Sequence, residues 1–235
     1  MALILNIDTA TEHASVCLSK DAALIAIEEN PNQKDHASFI QPAINKMLEV
    51  AGCRLQYVDA IAVSNGPGSY TGLRVGLSTA KGLCYALNKP LILINTLEVL
   101  ATASIQNLPT PASQLPPPNF LFAPMIDARR MEVFTALYDR HLNAILSPSA
   151  AILDENSFIE HVEAKQIIFS GSGSIKFQKL MQHSNAIFSQ VKHDAGHMQT
   201  IAEKLYSLKH FADLAYCEPF YLKEFYNTQS KIKSD

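Results

Sequence analysis

The chain has 235 residues, 48% of them hydrophobic and 17% charged, with a formal net charge of −3. This composition excludes a disordered or low-complexity protein and suits one large domain or two lobes of roughly 100 residues each. The acidic balance argues against a protein that grips nucleic acid by itself, because such proteins carry a basic footprint; the basic groups that stand out are the pair Arg129-Arg130 and the tail lysines Lys231 and Lys233.

No stretch reaches the ~18 apolar residues of a membrane span. The apolar start, MALILNIDTATEH, has no basic residues ahead of it and is broken by Asp8, so it does not read as a signal peptide. Cys17, Cys53, Cys84 and Cys217 form no C-x-x-C pair and read as reduced thiols. A soluble, cytoplasmic protein is expected.

In chain order, Leu3 to Thr9, Ser15 to Ser19 and Ala23 to Glu28 are short strands separated by turns, an antiparallel meander. From Ser38, the apolar residues Phe39, Ile40, Ala43, Ile44, Met47, Leu48 and Ala51 recur at three- and four-residue steps up to Gly52, which predicts a helix. Ala60 to Ser64 is a strand, Gly66 to Gly72 a glycine-rich turn, Leu73 to Leu87 a helix, Pro90 to Asn95 a strand and Thr96 to Ile105 a helix. The segment 106–119 holds five of the 12 prolines and reads as a connector between a first lobe, 1–105, and a second, 120–235. The second lobe starts with strands at Phe120 to Ile126 and Val133 to Tyr138. Ile126-Asp127-Ala128 echoes Ile7-Asp8-Thr9. A helix at Glu155 to Val162, a strand at Gln166 to Ser170, a Gly-Ser turn and a helix at Met198 to Leu208 follow. The last helix is expected to pack back between the lobes. Two copies of strand–strand–helix–strand imply a duplicated α/β fold.

The most specific block is Asn65 to Leu83, NGPGSYTGLRVGLSTAKGL. Glycines after a strand and before a helix permit close backbone approach, and free N–H groups at a helix start can hold an anion. Gly66, Gly68, Ser69, Thr71 and Gly72 are therefore candidates for a phosphate loop. The spacing fits neither G-x-x-x-x-G-K-[ST] nor G-x-G-x-x-G, and packing of a tight turn explains the same glycines. Asp8 and Asp127 are candidates for paired carboxylates around a metal–nucleotide, or each caps its own turn. Gly171-Ser172-Gly173 stands as a second phosphate loop or a plain turn. His193-Asp194-Ala195-Gly196-His197 has ligand spacing, but Gly196 weakens a helix that would hold both imidazoles, and Asp194 suits a helix cap.

The glycine block, together with LNIDTATEHASVCL and Glu218-Pro219-Phe220-Tyr221-Leu222-Lys223, resembles the TsaB (YeaZ-like) family over roughly residues 1 to 225. That resemblance implies an actin-like (ASKHA, ribonuclease H-like) two-lobe fold with mixed sheets flanked by helices. It also implies a cytoplasmic, non-catalytic subunit that docks a TsaD-like enzyme for threonylcarbamoyl transfer to the adenosine beside the tRNA anticodon. A TsaE-like ATPase would join, tRNA would be met through the complex, and a homodimer would form through the same surface. No cofactor is implied. The catalytic relative has a segment resembling N-H-x-E-G-H, whose two histidines hold a metal. Here the matching stretch is Asn95-Thr96-Leu97-Glu98-Val99-Leu100, with Thr96 and Leu100 at the histidine positions. The helices Ser38 to Ala51 and Leu73 to Leu87 are expected to carry the partner interface, through Phe39, Ile40, Ala43, Leu73, Val75, Leu77, Ala80, Leu83 and Cys84. The alternatives are an actin-like ATP-dependent enzyme, a metallopeptidase and an independent RNA-binding module.

Overall fold

The computed structural model describes residues 2–30, 35–108 and 120–223. Two five-stranded mixed sheets share one plan. In spatial order the first runs β3 (Ala23–Asn30), β2 (Ala14–Lys20), β1 (Leu3–Asp8), β4 (Ala60–Gly66), β5 (Leu91–Asn95), and the second β8 (Ala144–Ile152), β7 (Glu132–Tyr138), β6 (Phe120–Asp127), β9 (Gln166–Ser170), β10 (Ala186–Ser189). In each, a three-stranded antiparallel meander continues into two parallel strands. The fold is a duplicated two-lobe α/β fold.

In the first sheet, β1 (Leu3–Asp8), β2 (Ala14–Lys20) and β3 (Ala23–Asn30) form the meander. Helix α1 (His36–Val50) follows, then β4 (Ala60–Gly66), α2 (Tyr70–Leu87) and β5 (Leu91–Asn95). β1 is buried on both faces, as expected of a central strand written as a continuous apolar run. Leu5 and Ile7 meet Ile40, Ile44, Met47, Leu77 and Ala80 from α1 and α2, while Ile4 on the opposite face meets Ala195, Met198 and Ala202.

Helix α3 (Thr96–Gln106) comes next. The connector expected at 106–119 lies, from residue 109 on, outside the described residues. The second sheet is built from β6 (Phe120–Asp127), β7 (Glu132–Tyr138) and β8 (Ala144–Ile152), then α4 (Ile159–Ala164), β9 (Gln166–Ser170), α5 (Ser174–Phe177) and β10 (Ala186–Ser189). α6 (Gln199–Ser207), after a 3₁₀ turn at Ala195–Met198, is the last helix.

The two halves exchange helices. α3 packs Leu97, Leu100 and Ala101 against Phe122, Tyr138 and Ile168 of the second sheet. The Ala195–Met198 turn and α6 pack against the first sheet. Each half therefore buries an apolar helix face that its partner half supplies.

Two features depart from the sequence expectation. The helix expected at Glu155 to Val162 begins only at Ile159. Asp154 and Ser157 bond each other at 2.8 Å, and the Asn156 amide donates to Asp154 Oδ1 at 3.0 Å, so local side-chain bonds hold a turn where a helix would start. The edge strands β8 and β10 were not expected. β8 carries Pro148, which a strand tolerates at a sheet edge, and β10 has only four residues.

Candidate functional site

The end of β1, the glycine loop, the start of α2 and the segment before α6 meet at one end of the first sheet. The glycines are explained by packing against backbone. A Cβ at Gly68 or Gly72 would collide with the carbonyls of Ala10 and Thr9, and one at Gly66 (φ 112°) would lie 2.5 Å from the Phe220 carbonyl oxygen. Four amides of the loop and helix start have partners. Gly66 N donates to Thr96 Oγ1 (3.1 Å), Gly72 N to Ser69 Oγ (3.3 Å), Ser69 N to the Ala10 carbonyl (2.7 Å) and Leu73 N to the Ser69 carbonyl (2.8 Å). Ser69 is the N-cap of α2. Thr71 is exposed on its first turn.

The two candidate aspartates have different environments. Asp8 is 1% exposed. It accepts from Ser64 Oγ at 2.6 Å and from the Ala10 amide at 3.0 Å, and faces His193 Nε2 at 3.2 Å. Burial alone would raise its pKa, but the His193 charge and hydrogen bond, the Ser64 hydroxyl and the Ala10 amide outweigh it and hold the carboxyl below the ordinary range. Asp127 is exposed. It accepts from the Arg129 amide at 2.6 Å and pairs with Lys176 at 3.2 Å. Both close the turn after their strand, and each is already matched by a cationic or imidazole side chain.

The two histidines of H-x-x-x-H diverge. His193 turns to Asp8, whereas His197 bonds Asp194 at 3.0 Å and completes a capping box. Between the lobes, a cavity of about 260 Å³ is lined by Thr11, Glu12 and His13, by Leu100 and Ile126, by Gly171, Ser172 and Ile175, and by residues 190–193. Gly171 presses on the Met125 carbonyl and the Leu100 side chain, and Gly173 on the Val133 side chain.

At the start of α3, Asn95 caps the helix by accepting from the Leu97 amide at 2.8 Å. Thr96 is buried and receives the Gly66 amide, and Leu100 is 1% exposed within the core. An engaged hydroxyl and an aliphatic chain thus stand at the two positions where the family resemblance places metal-binding histidines. Glu98 lies in the same turn; burial pushes its carboxyl up, opposed by Lys204.

Of the nine residues expected at a partner interface, Ile40, Ala43, Leu73, Leu77, Ala80 and Cys84 are buried against their own lobe. That corrects their placement on an outer surface: they are the core face of α1 and α2. Phe39, Val75 and Leu83 are half-buried at its margin. The outward face of α2 instead shows Arg74, Ser78, Gly82, Tyr85 and Ala86. Gly82 has open space where a Cβ would stand, and Tyr85 is 84% exposed. Their three- and four-residue spacing is the signal that could have found this face.

The chain after α6 crosses α2 as a strap. Lys81 Nζ donates to the carbonyls of Ala215 (3.3 Å) and Cys217 (3.1 Å), Arg74 Nε donates to Tyr221 Oη (3.0 Å), and the Phe220 amide donates to the Asn65 carbonyl (2.7 Å). Tyr221 stacks on Tyr70 at 5.0 Å.

The family model described as "TsaD: tRNA N6-adenosine threonylcarbamoyltransferase" matches residues 29–229. The chain belongs to this family and is a TsaB/YeaZ-type protein. It is 33% identical over 143 residues to the tRNA threonylcarbamoyladenosine biosynthesis protein TsaB of Bacillus subtilis, and 36% identical over 143 residues to that of Escherichia coli. These alignments cover 61% and 60% of this chain and 57% of each relative. The solved structure of YeaZ from Pseudomonas aeruginosa superposes with a TM-score of 0.77 at 25% identity, over 94% of this chain and 100% of that one. A second Pseudomonas aeruginosa structure, of a protein with similarity to peptidase YEAZ, has a TM-score of 0.82 at 23% identity, covering 95% and 100%. Among the described residues no helix is long and apolar enough to cross a membrane.

Proposed function

We propose that this chain acts in tRNA threonylcarbamoyladenosine biosynthesis as a non-catalytic subunit that docks a TsaD-like enzyme through the outward face of α2 and the adjoining margin of α1. The observation that carries the reading is the start of α3, where Thr96 and Leu100 serve the core at the positions the enzyme would give to metal-binding histidines. The backbone carbonyls of Ala10, Thr9 and Phe220, pressed close against the loop glycines, support packing over phosphate binding. The TsaB names of its relatives support the pathway.

The docking face combines a glycine with open space above it and the exposed ring of Tyr85, bordered by Phe39, Val75 and Leu83. A small residue lets a partner helix approach toward the ~8 Å end of interaxial distances, and an exposed tyrosine is a frequent binding anchor. On this reading the same face pairs two copies of the chain when the enzyme is missing. A TsaE-like ATPase joins the assembly, tRNA is met within it, and all of this takes place in the cytoplasm. The deciding experiment is co-purification of the chain with a TsaD-like subunit, followed by a threonylcarbamoyl transfer assay on tRNA. Each protein is assayed alone and then mixed. Activity only in the mixture supports the reading; transfer by this chain alone refutes it.

A further inference from the structure

The turn between β6 and β7 carries two consecutive arginines in a backbone region that suits glycine. Arg129 has φ 72° and Arg130 φ 47°. Left-handed geometry costs a non-glycine residue roughly 1 kcal/mol or more, and asparagine or glycine would relieve it. The turn is held by its backbone: Arg129 N donates to Asp127 Oδ1, Glu132 N to the Arg129 carbonyl at 3.0 Å, and Lys176 Nζ to the Arg130 carbonyl at 2.9 Å. Among the described residues neither guanidinium has a hydrogen-bond or ion-pair partner.

The carboxylates beside them are already matched, Asp127 by Lys176 and Glu132 by Lys223. The two guanidinium charges are therefore a local positive excess on a chain of net charge −3. Lys223 is taken up by Glu132, and Arg74 on α2 by Tyr221 and the Tyr70 ring, so the excess lies at the turn itself.

We infer that the β6–β7 turn, with Arg129 and Arg130 at its tip, is a contact site for the phosphodiester backbone of RNA, and within the proposed function this RNA is the tRNA substrate. Guanidinium forks match phosphate oxygens, and a rigid turn presents them without the ordering cost of a mobile loop. The chemistry is charge recognition, so it positions the RNA and reads no bases.

The test replaces both residues in the way the backbone prefers, Arg129→Asn with Arg130→Gly. Fluorescence anisotropy of labelled tRNA is measured over a salt series, for the chain alone and for its assembly with a TsaD-like subunit. The variant should keep or raise its Tm and keep the subunit. Its tRNA Kd should rise roughly tenfold at 0.1 M salt, and the slope of log K against log salt should shrink by about 2. Unchanged Kd and slope overturn the inference. So does a wild-type assembly without salt-dependent tRNA binding, and so does a variant that sheds the subunit, because the patch would then serve an acidic protein surface. If the wild-type chain fails to hold the subunit, the proposed function falls, while the titration of the chain alone still decides the RNA contact.

Discussion

Gly82→Arg is the sharpest perturbation of the proposed docking face. Gly82 lies inside α2, and nothing stands within 4 Å of the position its Cβ would take. A side chain there starts into open space, and replacing glycine in a helix interior gains ~0.7 kcal/mol of helix propensity. For a chain of this size that corresponds to a rise in Tm of about 2 °C. A partner helix that exploits the missing side chain meets a long charged group instead. Loss of a central contact of that kind costs roughly 2.7 kcal/mol or more, a hundredfold in Kd. The assay pairs a melting curve with calorimetric titration against the TsaD-like subunit, and Ile152→Arg, at a 76% exposed edge-strand position, serves as the surface control. A variant that melts no lower than the wild type yet binds the subunit as tightly would refute the docking face, because stability and binding would both be accounted for without it.

Three further outcomes follow from the site geometry. Gly72→Ala should destabilise the fold by about 2 kcal/mol or more in urea unfolding, since its Cβ meets the Thr9 carbonyl; a loss of nucleotide affinity without loss of stability would favour the phosphate-loop reading. Asp8→Asn should remove part of the acid-unfolding transition. Because the folded-state pKa of Asp8 lies below its ordinary value of 3.8, its contribution is complete above that pH and is lost as pH falls through the lower folded value. A wild-type and variant acid limb that coincide would contradict this. Thr96→His with Leu100→His should lower stability by roughly 2–4 kcal/mol, because a polar ring replaces a core leucine and the Gly66 amide loses its acceptor. Metal-dependent recovery of Tm to the wild-type value would show that the site still accepts an ion.

Periodicity and turn chemistry in the sequence by themselves determined the strands β1 to β5, the antiparallel meander of the first three, the positions of α1, α2 and α3, and the strand–glycine loop–helix block. Those signals depend on neighbours a few residues away: the apolar residues of α1 recur at three- and four-residue steps, and β1 is apolar along its whole length because both of its faces are covered. Which face of a helix is covered is not a local property. α2 carries apolar residues around most of its circumference, and only the sheet beneath it assigned Leu73, Leu77, Ala80 and Cys84 to the core and left Gly82 and Tyr85 outside. The exchange of α3 and α6 between the sheets, the pairing of Asp8 with His193, and the strap over α2 likewise join residues far apart in the chain. Such contacts are selected by the burial and charge matching of the whole assembly, and no window of sequence contains both partners.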